Sequence, residues 1–292
     1  MAEVPALSPQ AVLSVGEAIA GGTAELTRAG VGEPRREALR IFADLTGTTP
    51  AALQVRRASP APPEAVARFH DAIGRRCGGE PLPYITGLAG FRRLTIQCDR
   101  RALIPRPETE GLVDIARYTV PRGRVLDLGT GTGCIALALA DEGSYDAVTA
   151  VDCSADALAL AGENGRRLGL EVRWLLGDWC APVAGERFDL VVTNPPYVTT
   201  AEVEGLESGV RDFEPAVALD GGPDGLRDVR CLLEAVPTVL VPGGWLVMEL
   251  DSTRAARSAE LALHAGWTTV RVTDDLFGRP RYLAARREPD HV

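Results

Sequence analysis

The sequence predicts an α/β protein, in which a doubly wound sheet follows a small all-helical domain and a β-hairpin connector. Three observations lead to this prediction. From residue 124 onward, short apolar runs rich in β-branched residues alternate with helical patterns. Before residue 85 the periodicity is helical, with proline and glycine between the segments. The length of 292 residues suggests about two domains. We therefore expect a helical domain at 1–85, a hairpin linker at 86–105 and an α/β domain at 106–292.

The helical domain is expected to contain several short helices. Ser8-Pro9 is typical of a helix N-terminus, and this first helix is expected to reach Ala29. Gly21-Gly22 should weaken its middle, because glycine is a poor helix former. The other helices are expected to begin at three prolines or proline pairs: Pro34, Pro50 and Pro62-Pro63. Such a domain either stabilises its neighbour or binds a macromolecular partner, and the sequence leaves both roles open.

The connector is predicted to be a β-hairpin. Residues Phe91–Ile96 alternate polar and apolar side chains as a strand does, and Asp99–Arg101 supply the turn. The arginines of this segment are expected to lie in solvent. Arg106 follows between two prolines, which stiffen the chain and aim its side chain. A helix is expected to begin at Glu108 or Thr109.

The strands of the α/β domain are separated by helices, which places helices on both faces of a sheet. Strands are expected at 125–128, 147–151, 172–176, 188–193, 245–250, 268–272 and 281–285. The main helices are expected near 135–139, 155–168 and 226–240. A loop of about 25 residues after Asn194 is longer than most connections, and such loops are usually functional.

Polar residues and glycines follow four successive strands, at the edge where open α/β sheets bind ligands. The first strand enters a glycine-rich loop that lets a ligand approach the backbone: Gly129-Thr130-Gly131-Thr132-Gly133. The next three strands end in Asp152, in Asp178-Trp179 and in Asn194-Pro195-Pro196-Tyr197. Pro195 holds Asn194 extended, so the Asn194 side-chain oxygen is expected to point outward as a hydrogen-bond acceptor.

These strand ends together predict S-adenosylmethionine as the cofactor. Asp152 lies 19 residues after Gly133, where a carboxylate meets ribose hydroxyls. A nicotinamide fingerprint would need glycine at position 134, where Cys134 stands. We expect Trp179 to pack on adenine and Asp178 to lie near the adenine edge. Packing in the core is the alternative role for Trp179.

Charge is distributed unevenly, and all 31 basic residues are arginine. Residues 1–105 carry 13 arginines against 10 acidic residues, a net of +3. Residues 106–292 carry 18 arginines against 30 acidic residues, a net of −12, which together give the formal −9. Nucleic-acid affinity depends largely on neutralising phosphates. The composition therefore argues against DNA or RNA as the direct substrate.

The six cysteines are scattered and form no C-x-x-C pair, and the three histidines are far apart. We therefore expect no metal site and no disulfide framework, which fits a reducing cytoplasm. The N-terminal residues lack a basic segment followed by an apolar one, so no secretory signal is expected. No apolar run reaches the ~18 residues that a membrane span needs.

Motifs along almost the whole chain resemble the glutamine N5-methyltransferases that modify peptide-chain release factors. The segments that carry the resemblance are Pro81–Gly87, Leu103–Glu110, Asp127–Gly133, Asn194–Tyr197, Phe213–Pro215, Ala218-Leu219 and Gly221-Gly222. The run I-P-R-P-E-T-E is the most specific of these. The resemblance implies a seven-stranded, class I Rossmann-like methyltransferase domain after the helical domain and hairpin. It also implies a release factor as the partner, with the substrate glutamine in a Gly-Gly-Gln loop. We expect a monomer.

One departure leaves the substrate open. Members of that family usually carry a glycine two residues after the strand-ending glutamate, and then a glutamine. Here the run is Glu249-Leu250-Asp251-Ser252-Thr253-Arg254. The alternatives are a paralogue that acts on another amide or on a small molecule, a nucleic-acid adenine N6-methyltransferase, and a binding module without catalytic activity.

The expected mechanism depends on the residues after the fourth strand. An amide nitrogen is a poor nucleophile, because its lone pair is delocalised into the carbonyl. We expect the Asn194 oxygen and the Pro195 carbonyl to accept its two hydrogens, with Pro196 and Tyr197 packing on the amide plane. Arg106 is expected to help order the cofactor pocket. No residue stands out as an obligatory base.

Overall fold

The computed structural model describes residues 13–288, which form two compact units divided between Thr86 and Gly87. The expected helix start at Ser8-Pro9 lies outside the described residues. Within the described range, no helix is both long enough and apolar enough to cross a membrane.

The described part of the first unit consists of short helices. Their bounds are α1 Val15–Arg28, α2 Pro34–Leu45, α3 Pro50–Val55, α4 Pro63–Cys77 and α5 Leu82–Thr86. Helix α1 begins at Val15, and the N-cap residue Ser14 forms a reciprocal capping box with Glu17. The expectation of one helix from Ser8-Pro9 to Ala29 was therefore wrong at residues 13 and 14, which are not helical. Proline occupies the first turn of α2, α3 and α4, where its missing N–H costs nothing. Helix α5 was not expected from the sequence.

The core of the first unit forms around Phe42 and Phe69, whose rings meet edge to face at 5.1 Å. Helix α1 comes close to Phe69 at Gly22, where a Cβ would lie 2.6 Å from the ring atom Cζ. Gly21 has open space around it. The glycine pair therefore has a packing role at one position, which helical propensity alone did not indicate.

The second unit begins with a two-stranded antiparallel hairpin, β1 Leu88–Phe91 and β2 Leu94–Gln97. The expected turn at Asp99–Arg101 was wrong, because the chain reverses at Arg92-Arg93, with Arg92 at φ 54°. The expectation that the arginines lie in solvent was also wrong for Arg92. Its side chain is 14% exposed, and its guanidinium donates twice to the Glu142 carboxylate at 2.7 Å. The ion pair with Glu142 offsets the strain of the left-handed backbone conformation at Arg92.

The rest of the second unit is a seven-stranded sheet in the order β5-β4-β3-β6-β7-β9-β8. Neighbouring strands run parallel from β5 to β7, and β9 runs antiparallel to both β7 and β8. The strands are β3 Arg122–Leu128, β4 Ser144–Asp152, β5 Arg173–Leu176, β6 Phe188–Thr193, β7 Leu240–Glu249, β8 Thr269–Asp274 and β9 Pro280–Arg286.

Helices cover both faces of this sheet, which confirms the predicted α/β, doubly wound fold class. The helices are α6 Thr109–Thr119, α7 Cys134–Glu142, α8 Ala155–Leu168, α9 Thr200–Val203, α10 Ser208–Arg211, α11 Arg227–Ala235 and α12 Ala255–His264. Helices α6 and α7 pack on Leu190 and Val192, whereas α11 and α12 pack with Val191 in a second cluster. Successive residues of β6 therefore point to opposite faces, and both faces are buried.

In the second unit, the largest differences from the predicted element boundaries are at the end of α11 and at the start of β7. The helix expected at 226–240 ends as α11 at Ala235, and a 3₁₀ turn at Val236–Thr238 follows. Pro237 lies in that turn and cannot donate the next helical hydrogen bond. Strand β7 begins at Leu240 rather than near residue 245, and Gly243-Gly244 lie inside it, where the pairing with β6 shifts register. Such a shift accommodates glycine within a strand.

The loop after Asn194 also differs from a structureless connection. It contains α9, α10 and a 3₁₀ turn at Ala216–Ala218. Strands β3 and β6 are adjacent in the centre of the sheet, and the chain winds outward from them in opposite directions. The loops after β3 and β6 therefore meet at the point where open α/β sheets bind ligands.

Candidate active site

A cavity of about 200 Å³ lies at the carboxyl edge of the sheet. Seven of the residues predicted from the sequence contribute to its lining: Gly129, Gly131, Asp152, Asp178, Trp179, Asn194 and Pro196. They come from the loops after β3, β4, β5 and β6. The four strand ends that the sequence singled out are therefore brought together around one space.

The glycine-rich loop divides into a part at the cavity and a part in the interior. Gly129 and Gly131 line the cavity and have φ of +71° and +57°. Thr130 and Thr132 are buried, at 3% and 2% exposure. A Cβ at Gly133 would lie 3.0 Å from Trp174. Thr130, Thr132 and Gly133 thus shape the loop from inside, and the backbone of Gly129 and Gly131 faces the cavity.

Asp127 holds this loop from beneath. Its Oδ2 accepts hydrogen bonds from Thr130 Oγ1 at 2.6 Å and from the N–H of Ala136 at 3.2 Å. Burial raises the pKa of the Asp127 carboxyl to about 7, against the lowering effect of those two donors. The carboxyl therefore joins the end of β3 to the first turn of α7.

Asp152 connects two of the cavity loops. Its Oδ2 accepts from the N–H of Gly131 at 2.8 Å, and its Oδ1 accepts from the N–H of Ser154 at 2.9 Å. The residue is 8% exposed, yet it lines the cavity. Its carboxylate is thus fixed in orientation by backbone donors before any ligand binds.

Asp178 and Trp179 form another wall of the cavity. Asp178 is exposed and Trp179 is half-buried, with φ of +39°. Trp179 packs partly against the core, and a Cβ at Gly129 would lie 3.5 Å from its ring. Trp179 therefore packs against the core and also lines the cavity, and its packing on adenine stays a prediction.

Asn194 is anchored through its amide nitrogen. Its Nδ2 donates to Thr109 Oγ1 at 3.2 Å, across 85 residues of sequence. One of the two amide N–H groups is thereby bonded to Thr109, and the carbonyl oxygen has no hydrogen-bond partner among the described residues, so it can accept from a ligand. Asn194 lines the cavity, and its role as an acceptor there stays a prediction.

The neighbours of Asn194 occupy different positions. Pro196 lines the cavity, Pro195 is buried, and Tyr197 is half-buried outside the lining. Burial, reinforced by Glu249, raises the pKa of Tyr197 to about 12, so its hydroxyl stays neutral. A Cβ at Gly221 would lie 2.6 Å from the carbonyl oxygen of Pro196, so the loop after Asn194 packs directly on the motif.

Arg106 forms an ion pair with Glu214. Its Nη2 donates to Glu214 Oε1 at 2.6 Å, and Glu214 Oε2 accepts from the N–H of Ile104 at 3.1 Å. The Glu214 side chain is 1% exposed. Pro215, the next residue, lines the cavity. Arg106 is thus joined to Glu214, the residue next to Pro215, and its help in ordering the cofactor pocket stays a prediction.

The sequence did not indicate three residues of this region. Thr109 and Glu214 lie in segments that carry the family resemblance, and Glu249 precedes the departure from the family pattern, but the sequence assigns none of the three a role in the site. Glu249 ends β7 and is 1% exposed. The sequence signal that could have identified Glu249 is a carboxylate at the end of an otherwise apolar strand, β7. Within residues 13–288, no group of three or more His, Cys, Asp or Glu side chains could hold a metal ion.

Comparison with known proteins matches both units. Residues 17–87 match the family model "PrmC N-terminal domain", and residues 109–207 match "Methyltransferase small domain". A methyltransferase of known structure from Pyrococcus furiosus shares the fold, with a TM-score of 0.51. It is 21% identical and covers 66% of this chain and 88% of its own.

Similar proteins named release factor glutamine methyltransferase extend over nearly the full length. The protein of Cereibacter sphaeroides is 41% identical over 274 residues, which are 92% of this chain and 97% of that protein. That of Deinococcus radiodurans is 41% identical over 268 residues, 91% of this chain and 95% of its own. That of Rhodospirillum rubrum is 39% identical over 287 residues, 97% and 88% respectively. At this identity and coverage, the chain belongs to the release factor glutamine methyltransferase family.

Proposed function

We propose that this protein transfers a methyl group from S-adenosylmethionine to the side-chain nitrogen (N5) of the glutamine in the Gly-Gly-Gln loop of peptide-chain release factors. Its relatives carry that activity in their name over nearly the whole chain. The observation that carries the proposal is the hydrogen bond from Asn194 Nδ2 to Thr109 Oγ1, which leaves the Asn194 oxygen as an acceptor beside the cavity.

The cavity suits this cofactor. Gly129 and Gly131 line the cavity and have no side chain, so a ligand can approach their backbone closely. Asp152, Asp178 and Trp179 line the cavity. The two carboxylates would accept from the hydroxyl and amino groups of the nucleoside, and the Trp179 ring would pack on its base. The cofactor, when bound, supplies an electrophilic methyl carbon on a sulfonium. These residues would hold its nucleoside and leave Asn194 at the reacting end.

The substrate amide is activated by orientation. We infer that Asn194 Oδ1 and the Pro195 carbonyl accept the two N–H groups of the glutamine side chain. Held in this way, the nitrogen can pyramidalise, and the acceptors stabilise the positive charge that develops on it. Pro196 and Tyr197 pack beside the amide, and most of the rate enhancement comes from alignment. The extra proton leaves to water after transfer.

The substrate is a protein rather than a nucleic acid, and the enzyme acts as a monomer in the cytoplasm. The acidic balance of residues 106–292 supports this part of the proposal, because a phosphate backbone would be repelled. The decisive experiment incubates the enzyme, a release factor and isotope-labelled cofactor, followed by mass spectrometry of tryptic peptides. Label on the Gly-Gly-Gln peptide is expected, and label on DNA or on no peptide would overturn the proposal.

Replacing Asn194 tests the acceptor role. We expect Asn194→Ala to lower kcat by at least about a hundredfold, the order seen when one transition-state hydrogen bond is removed. Cofactor affinity, measured by calorimetry, should remain because the glycine-rich loop and Asp152 are intact. Glu204→Ala serves as a control, since Glu204 is exposed on the same loop and outside the cavity lining. Near-normal turnover of Asn194→Ala would remove Asn194 from the chemistry.

A further inference from the structure

Glu249 is a buried carboxylate that stands level with Asn194. Strands β6 and β7 run parallel and pair Thr193 with Met248, and the next residue on each strand is Asn194 or Glu249. The Glu249 side chain has 1% exposure. Among the residues that the structure describes, no hydrogen bond of ordinary length and angle reaches either of its oxygens, although the Thr109 hydroxyl is close enough to lower the pKa of the carboxyl. Buried polar groups are normally hydrogen-bonded, so an unpaired carboxylate next to the proposed acceptor Asn194 is unusual.

Groups from several elements act on this carboxyl. Burial raises the pKa of Glu249 to about 7. The Thr109 hydroxyl and Arg281 lower that pKa, Glu108 raises it, and Arg106 lowers it. Three further titratable side chains respond to Glu249 in their own pKa values: Tyr197, Tyr282 and Cys134. The carboxyl is therefore balanced between its charged and neutral forms by the groups around it.

Thr109 stands between this carboxylate and the proposed acceptor. It is 2% exposed, and its Oγ1 accepts from Asn194 Nδ2 at 3.2 Å. A hydroxyl has only one proton to donate. An ionised Glu249 can only accept, so it draws the Thr109 proton toward itself. The lone pairs of Oγ1 then face Asn194, and they bind its nitrogen rather than its oxygen.

We propose that Glu249 is a positioning residue, whose ionised carboxylate acts through Thr109 to keep the Asn194 amide turned with its oxygen toward the substrate. This inference rests on the proposed function, in which that oxygen accepts from the glutamine amide. A neutral Glu249 would donate to Thr109 Oγ1, and the Thr109 proton would then turn to the Asn194 oxygen. The amide would present N–H donors to a substrate that also offers N–H donors.

The pH dependence follows from the sign of this effect. Glu249 is ionised above its pKa, so the productive orientation is present at higher pH. It is lost as pH falls through about 7. We therefore expect kcat for methyl transfer to rise over this range and then level off. The KM for the release factor should change less than kcat, because the effect acts on alignment of the bound amide.

The two asparagines of this chain make the test direct. Protein labelled with ¹⁵N only at asparagine side chains gives two amide signals, from Asn194 and from Asn164. Asn164 is an internal control, because it is fully buried and its Nδ2 donates to the carbonyls of Gln97 and Thr132. A titration from about pH 5.5 to about pH 8.5 should shift the Asn194 signals with a midpoint near the pKa of Glu249 and leave those of Asn164 in place.

Three variants test whether the titration of the Asn194 signals is caused by Glu249 acting through Thr109. Glu249→Gln keeps the shape and removes the charge, so the Asn194 titration should disappear and kcat should fall by about tenfold or more. Thr109→Val removes the hydroxyl and should do the same, whereas Thr109→Ser restores a hydroxyl and should keep the titration. If Glu249→Gln does not fold, the wild-type titration and the Thr109 pair decide the question.

The outcomes separate this inference from the proposed function. An Asn194 signal that does not titrate, or that titrates equally in Thr109→Val, overturns the role of Glu249 even if Asn194→Ala is inactive. A titrating signal together with a fully active Asn194→Ala variant instead refutes the acceptor role of Asn194. The loss of the titration in Thr109→Val and its retention in Thr109→Ser supports the inference without any assay of methyl transfer.

Discussion

At the residue scale, Asp152 shows how one carboxylate can serve both the fold and a ligand. A carboxylate offers about four lone-pair sites, and the N–H groups of Gly131 and Ser154 occupy two of them. The remaining sites are free to accept from hydroxyl groups in the cavity. Its fixed orientation means that ligand binding does not have to order the side chain.

The Asp152→Ala variant is expected to bind S-adenosylmethionine more weakly. A hydrogen bond to a charged group contributes about 1.5–3 kcal/mol, so the Kd should rise by roughly 10- to 150-fold. Calorimetric titration with the cofactor measures this directly. Asp156→Ala is the matched control, because Asp156 is exposed on the first turn of α8 and outside the cavity lining. Equal Kd values for the two variants would contradict the assignment.

The limit of sequence reasoning at this scale lies in partners that are distant in the chain. The motif around Asn194 was sufficient to predict a side chain at a strand end, because proline restricts the backbone locally. The partner of Asn194 is Thr109, 85 positions away, and that contact depends on how α6 packs beside β7. No local rule connects those two residues. The same applies to Arg106 and Glu214, which are 108 positions apart.

At the element scale, helix α1 contains two adjacent glycines with opposite expected effects. Gly22→Ala places a Cβ 2.6 Å from Phe69 and should destabilise the protein by about 1–3 kcal/mol. Gly21→Ala meets open space and should stabilise it by up to about 1 kcal/mol, because alanine favours the helix. Urea unfolding of both variants against wild type measures the difference. Similar changes in both would show that Phe69 does not pack on α1 in this way.

Element boundaries were predicted well where local chemistry decides them and poorly where pairing does. Prolines began α2, α3 and α4 as expected. The hairpin turn was misplaced, because the run around Arg92 has strand-like alternation while its conformation is fixed by an ion pair with Glu142. Strand β7 likewise extends through Gly243-Gly244 because β6 supplies a partner with an irregular register. At the hairpin turn and in β7, tertiary contacts therefore determine a backbone conformation that differs from the one the local sequence favours.

At the scale of the whole molecule, charge leads to a prediction about partners. Residues 106–292 carry a net of −12, so we expect duplex DNA to bind with a Kd above about 10⁻⁴ M at physiological salt, weaker than typical non-specific binders. Fluorescence anisotropy with labelled DNA measures this, with an arginine-rich basic protein as the positive control. Micromolar affinity that falls steeply with added salt would revive a nucleic-acid substrate.

The fold as a whole was predictable because its signal is repeated. Alternating strands and helices occur several times, and the handedness of parallel connections leaves few arrangements for them. The order of the last strands was not predictable from the pattern, since β9 pairs with β7 and thereby separates β7 from β8. The strand lengths are compatible with either order. In the observed order, Leu283 and Ala285 of β9 lie in one core cluster with Ala255 and Ala262 of α12.

This inner position of β9 has a consequence for how the protein is made. A chain leaves the ribosome in sequence order, so β7 and β8 both emerge before the strand that joins them. During that interval β7 presents an open edge to its surroundings, the kind of edge at which foreign strands can add. Among the described strands β8 pairs only with β9, its antiparallel successor in the chain, so β8 has no place in the sheet until Pro280–Arg286 has been made. The pairing therefore favours docking of β8 and β9 together, as a hairpin, on the open edge of β7.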